Sequence, residues 1–134
     1  MTISPTPATI LFLDDEAQHL KLYQWVIERG PFRVTPVLVG DQQWKLPEAV
    51  PDVVVLDYRL KGPFTAVQVA ESIKLKFPEA PILILSELEW VPDDIYPYAS
   101  AFVGKGEPEK LMQTLMELVR NPVSSNSDGA KIIR

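Results

Sequence analysis

"VVVLDYRL", residues 53–60, sets four consecutive apolar residues ahead of a carboxylate, Asp57, and then turns polar. An unbroken apolar run of this length, without polar alternation, is the pattern of a strand buried on both faces. Asp57 therefore stands where a buried strand gives way to a loop. An acid there commonly satisfies local backbone donors, so its meaning depends on what the rest of the chain brings to it.

Three further stretches share the pattern. "TILFLDDE" (9–16) ends in acids, "PILILS" (81–86) ends in a hydroxyl, and "AFVG" (101–104) is followed by Lys105. "FRVTPVLVG" (32–40) is β-branched but contains Pro36, which predicts an edge strand or a bulge. Helical spacing lies between these runs. Leu20, Tyr23 and Ile27 share a face over 16–29, a helix that Gly30 and Pro31 end. Ala66, Val69, Ala70, Ile73 and Phe77 share another, and Leu111, Leu115 and Leu118 line a third after Pro108. "DQQWKLPEAV" (41–50) has room only for a short helix because of Pro47, and "ELEWVPDDIYPYAS" (87–100) for a turn or two because of Pro92 and Pro97. Five strands alternating with helices predict an α/β fold, a doubly wound parallel sheet covered on both faces with a short or distorted fourth helix.

A chain of 134 residues with 46% apolar content is the size of one domain with a real core. The expected organisation is a loose lead-in over 1–8, one domain over 9–120, and a small, polar tail or linker over 121–134. Eighteen acids against 13 bases give a net charge of −5, which argues against a grip on nucleic acid or an anionic membrane. With no cysteine there is no disulfide and no thiolate chemistry. The N-terminal stretch lacks a signal-peptide pattern, and the reading is a soluble, cytoplasmic protein.

In an open parallel sheet the carboxyl ends of the strands share one edge, where ligands bind. Asp14 and Asp15 end the first apolar run, Asp57 the third, Ser86 the fourth, and Lys105 follows the fifth. Clustered carboxylates repel and hold protons more tightly unless a cation neutralises them. Oxygen ligands without His or Cys favour Mg²⁺. His19, the single histidine, falls on the first helix and is not expected to ligate a metal or join a triad.

In the order and spacing of "FLDDE", "VVVLDYRL", "PILILS" and "AFVGK", residues 8–120 resemble the receiver domain of two-component response regulators. That resemblance implies a flavodoxin-like sheet in the order 2-1-3-4-5 and a Mg²⁺-dependent phosphoryl transfer to Asp57. It implies Asp15 as a direct metal ligand, Asp14 as a helper through water, and the backbone carbonyl of Arg59 as a further ligand. Ser86 and Lys105 would hold the phosphoryl oxygens, and Phe102 matches the aromatic that changes rotamer with the hydroxyl. The implied donor is a sensor histidine kinase or phosphotransfer protein, and the implied output is an unidentified protein target, with a homodimer as a further option. Such a domain is a switch rather than a turnover enzyme, catalysing only its own phosphorylation and dephosphorylation.

Four positions depart from the family pattern. Gly106 replaces the usual proline after the lysine, which predicts a trans peptide or a glycine-specific backbone shape. Glu87 stands where a small residue usually follows the hydroxyl, Lys61 replaces a proline after "DYRL", and only the 18 residues 87–104 separate Ser86 from Lys105. These departures keep a second reading open, a degenerate receiver that binds protein without being phosphorylated. A haloacid-dehalogenase-type phosphatase needs a second acid two residues after its aspartate, which "LDYRL" lacks, and the glycine motif of dinucleotide binding and the G-x-S-x-G of serine hydrolases are missing too. Trp25, Trp44 and Trp90 are expected to pack rather than to mark a partner surface. Arg59 and Lys61 are either solvated loop residues or a steering pair for the phosphodonor.

Overall fold

The computed structural model describes residues 6–40 and 44–120. The parallel strands are β1 (Ala8–Asp14), β2 (Phe32–Leu38), β3 (Val53–Asp57), β4 (Ile82–Ser86) and β5 (Ala101–Gly104), arranged in the order β2-β1-β3-β4-β5. Three α-helices connect them, α1 (Ala17–Ile27), α2 (Ala66–Lys76) and α3 (Pro108–Arg120). β2 is an edge strand, as Pro36 requires: it pairs only with β1, where Pro36 lies opposite Phe12.

Side chains alternate across the sheet, so each strand feeds two cores. Ile10, Phe12, Val53, Val55, Leu83 and Leu85 face α1 and α3, meeting Leu20, Ile27, Leu111, Leu115 and Leu118. Leu11, Leu13, Val54, Leu56, Ile82 and Ile84 face α2, meeting Ala66, Val69, Ala70, Ile73 and Phe77. β3 and β4 are buried throughout and β1 from Ile10 onward, which explains why these three read as continuous apolar runs. A capping box starts α2: Gln68 N–H donates to Thr65 Oγ1 at 3.2 Å, and Thr65 N–H donates to Gln68 Oε1 at 2.9 Å.

Two connections differ from a regular alternation. The short helix expected over 41–50 is not formed among the described residues 44–50; residues 41–43 lie outside them. Pro47 removes a helical donor, and the segment instead lays Trp44 and Leu46 against the α2-side core, with Trp44 edge-on to Phe64 at 6.4 Å. Between β4 and β5 a single 3₁₀ turn, Tyr96–Tyr98, stands where a fourth helix belongs. Pro92 and Pro97 explain its brevity. Ile95 and Ala99 still bury completely and close the core there, while Tyr58 Oη donates to Asp94 at 3.0 Å and ties this segment to the loop after β3.

The expected lead-in is shorter at its described end, since β1 begins at Ala8, and the tail expected over 121–134 lies outside the described residues. No described helix is long and apolar enough to cross a membrane.

Candidate phosphoacceptor site

Register fixes which acids meet. Leu13 pairs with Leu56 across β1 and β3, so the next residues along, Asp14 and Asp57, end side by side. Both continue the row of Phe12 and Val55 and so lie on the α1/α3 side of the sheet. They are 1% and 2% exposed. Asp15, one residue on, points the other way, and its Oδ2 accepts from the Lys61 N–H at 2.6 Å. Lys61 Nζ also reaches Glu16 Oε1 at 3.0 Å, so the loop after β3 is strapped to the acids that end β1.

Asp57 Oδ1 takes two contacts, the Lys105 ammonium at 2.9 Å and the Arg59 N–H at 3.2 Å. Burial raises the Asp57 carboxyl above its ordinary range, against the opposing hydrogen bond and charge of Lys105. For Lys105 burial pulls down, but the hydrogen bond and charge of Asp57 outweigh it and the net direction is up. The ammonium therefore stays charged, and its hydrogen bond and charge favour the ionised carboxylate against the burial that raises it. Asp14 is pushed up to about 7, by burial first and then by the charge of Asp57, although its Oδ1 accepts from the Glu16 N–H at 3.0 Å.

Ser86 and Phe102 are also buried, and both line a cleft of about 390 Å³ with Glu87, Lys105 and Glu107. Ser86 Oγ accepts from the Leu88 N–H at 3.0 Å, and its carbonyl accepts from the Lys105 N–H at 2.8 Å, which fixes Lys105 relative to β4. Glu87 is exposed at the rim, where its charge reaches Lys105. No described peptide bond is cis, and Gly106 has φ +85°, the left-handed region that favours glycine. Both alternatives raised by Gly106 are thus realised together.

Two residues enter without a place at the site in the sequence reading: His19, not expected to ligate a metal, and Tyr23, expected on the inner face of the first helix. His19, in the first turn of α1, places Nδ1 3.4 Å from Asp14 Oδ2 and Nε2 3.1 Å from Glu16 Oε2. One donor atom each from Asp14, His19 and Asp57 lie within 4.8 Å of one another. The available signal was that α1 begins directly after the β1 acids, so its first turn overhangs them. Tyr23, one turn further along α1, is half-buried beside Lys105 and Gly106; burial raises its phenol, with Lys105 acting against.

Among solved structures the chain is similar to the receiver domain of a Francisella response regulator, with 13% identity over 87% of this chain and 99% of that one, at a TM-score of 0.67. The fold is that of a response-regulator receiver domain. Vibrio cholerae CheY4, a chemotaxis protein, matches with 18% identity over 82% of this chain and 97% of its own, at 0.65. DrrB from Thermotoga maritima, a response regulator described as an OmpR/PhoB homologue, matches with 22% identity over 89% of this chain, at 0.66; this chain spans 55% of its length. No protein-family model and no curated protein matches the sequence. Within the receiver fold, Asp57, Ser86 and Lys105 occupy the carboxyl ends of β3, β4 and β5, with Asp14 beside Asp57.

The donor set fits a divalent cation. Burial raises both carboxylates, with the charge of Asp57 adding at Asp14 and that of Asp15 at Asp57, which is the electrostatic condition that cation binding relieves.

Proposed function

We propose that this domain is a phosphoacceptor switch of two-component signalling, taking a phosphoryl group on Asp57. The observation that carries the reading is the Lys105–Asp57 contact of 2.9 Å at a buried strand end beside a second buried acid. Lys105 and the Arg59 N–H both engage Oδ1, so Oδ2 is the oxygen for attack. Attack forms the Oδ2–P bond as the donor's P–N or P–O bond breaks, releasing imidazole from a phosphohistidine or acetate from acetyl phosphate. Water attacking phosphorus later restores the carboxylate and releases inorganic phosphate.

Asp14, Asp57 and the Arg59 carbonyl would hold the cation, Mg²⁺ by the family resemblance; Asp15, the direct ligand that resemblance implies, would have to turn from the Lys61 N–H to join them. When bound, it neutralises charge on the transferring phosphoryl oxygens. Lys105 takes up charge from the other side, moving its ammonium from the carboxylate to the product. Ser86, released from the Leu88 N–H, would donate its hydroxyl to the phosphoryl group, and Phe102 beside it would repack the cleft that partners read. A histidine kinase or phosphotransfer protein is the donor class, and a protein is the output target.

A phosphorylation-independent binding module is the second reading, favoured by the 3₁₀ turn in place of a fourth helix. Intact-mass measurement after incubation with acetyl phosphate and Mg²⁺ separates the two. The expected result is one added phosphoryl group, absent in Asp57→Asn. Equal uptake by Asp57→Asn overturns the assignment, and no uptake by the parent favours the binding module.

A further inference from the structure

The sequence holds one histidine and no cysteine, so a single imidazole is the only strong nitrogen or sulfur ligand that side chains can offer a metal. That imidazole stands at the acid pair. His19 Nδ1 is buried and has no hydrogen-bond partner, although a carboxylate oxygen of Asp14 lies 3.4 Å away. If Nδ1 carries a lone pair, it faces that oxygen with nothing between them, an arrangement that a cation would turn from repulsive to attractive.

The outer side of the ring is held as metal-ligating histidines are held. Nε2 lies 3.1 Å from Glu16 Oε2, and Glu16 is itself engaged by Lys61 Nζ at 3.0 Å. A carboxylate behind one ring nitrogen fixes the tautomer that leaves the other free to ligate. Donors on opposite sides of a small divalent ion lie about 4.2 Å apart, given bonds of about 2.1 Å. Adjacent donors on such an ion lie about 3.0 Å apart; His19 Nδ1 is 3.4 Å from Asp14 Oδ2, and one donor atom each from Asp14, His19 and Asp57 falls within 4.8 Å of the others. Asp15, by contrast, already has its Oδ2 on the Lys61 N–H.

We propose that His19 Nδ1 joins Asp14 and Asp57 as a third protein ligand, so that the site takes a transition-metal dication of the Co²⁺ or Ni²⁺ class in preference to Mg²⁺. Imidazole suits the later first-row dications, whereas Mg²⁺ and Mn²⁺ prefer oxygen and water. The inference builds on the cation role given to this site above, but it concerns which ion binds and through which atom. His19 is therefore a positioning and specificity residue rather than a catalytic one.

Calorimetric titration of the full chain with Co²⁺, Mn²⁺ and Mg²⁺, alongside His19→Ala and His19→Gln, tests it. The parent is expected to bind Co²⁺ more tightly than Mn²⁺ or Mg²⁺. Both variants are expected to lose Co²⁺ affinity at least tenfold and to change Mg²⁺ affinity by less than about twofold. Because there is one imidazole, its ¹⁵N NMR resonances in the parent report ligation without any substitution: saturating Zn²⁺, a diamagnetic ion that takes imidazole nitrogen, should move the Nδ1 resonance. Co²⁺ affinity unchanged in both variants, or imidazole resonances unmoved at saturation, would reduce His19 to an ion-pair partner of Asp14 and Glu16 and overturn the proposal. Absence of binding by all three ions overturns it as well. Phosphoryl uptake by the parent in Mg²⁺ is a separate readout of the acceptor reading: uptake with unmoved imidazole resonances sinks only the ligand assignment, and moved resonances without uptake sink only the acceptor role.

Discussion

Lys105 Nζ sits 2.9 Å from Asp57 Oδ1, joining the end of β5 to the end of β3 across the intervening strand β4. The lysine side chain is 17% exposed and the aspartate 2%, so neither charge is well hydrated and each depends on the other. Removing one partner of such a pair leaves an uncompensated buried charge.

Lys105→Met should therefore destabilise the domain by about 3 kcal/mol at pH 8 in the absence of metal. Asp57 can shed its charge by taking a proton, since burial already raises it. The loss should accordingly be smaller at pH 5 than at pH 8. Thermal or urea unfolding at the two pH values measures the difference; an equal loss at both would mean that Asp57 is not the partner that suffers.

Asp14 gives a pH dependence of definite sign. Its folded value of about 7 lies above the ordinary 3.8, so between those values the folded state holds a proton that the unfolded state has released. Folding stability therefore falls as pH rises through this window. Asp14→Asn cannot ionise and should be more stable than the metal-free parent at pH 8, with the gap closing as pH drops from about 7 toward 4. Divalent cation should stabilise the parent and not the variant. If the variant is less stable at every pH, the hydrogen bond from the Glu16 N–H to Asp14 outweighs the charge repulsion.

How far the sequence discloses this site depends on which face each residue takes. Strand periodicity places Asp57 and Ser86 at strand ends because the apolar runs before them are unambiguous. It also brings Asp14 and Asp15 to the edge together, but only pairing register says that Asp14 shares a row with Asp57 while Asp15 turns to Lys61. For His19 the start of α1 directly after the β1 acids puts its first turn over the edge, but which side chain of that turn meets Asp14 is a tertiary fact. Of the tryptophans, Trp44 packs as expected, whereas Trp25 and Trp90 are 63% and 61% exposed. Arg29 lies over the Trp25 ring at 5.1 Å, a contact between α1 and the turn that follows it. The proline positions were the legible part of the irregular connections, since they predict shortened helices without saying what replaces them.

Gly106 is the backbone hinge between Lys105 and α3. A Cβ added there would meet no atom within 4 Å, so the cost of Gly106→Ala comes from φ +85° alone. A loss of about 1 kcal/mol is expected. Because relieving that strain swings the adjacent lysine, phosphorylation by acetyl phosphate should slow as well. A variant that loses stability but keeps its rate would show that Lys105 is positioned by its N–H bond to the Ser86 carbonyl rather than by the glycine.

Glu87 is the residue whose charge most directly opposes an incoming phosphodonor. It follows Ser86, lines the same cleft as Lys105 and stands exposed at the rim. At roughly 8 Å from a phosphoryl group left with one net negative charge by the cation and Lys105, and at an effective dielectric of 20, repulsion is about 2 kcal/mol. Water lowers that figure at an exposed position, so it sets a ceiling: Glu87→Ala should speed phosphorylation by acetyl phosphate by at most about thirtyfold, since each 1.4 kcal/mol is a factor of ten. The gain should shrink as ionic strength rises, because the Debye length falls from about 30 Å at 0.01 M to about 8 Å at 0.15 M. Hydrolysis of the phosphorylated form should quicken less than its formation, because neutral water does not meet the repulsion that an anionic donor does. Glu87→Gln separates charge from bulk: equal acceleration in both variants assigns the effect to charge, whereas acceleration in Glu87→Ala alone assigns it to the space the side chain fills. Rates unchanged at low salt in both would mean that the Glu87 carboxylate points away from the path of the donor.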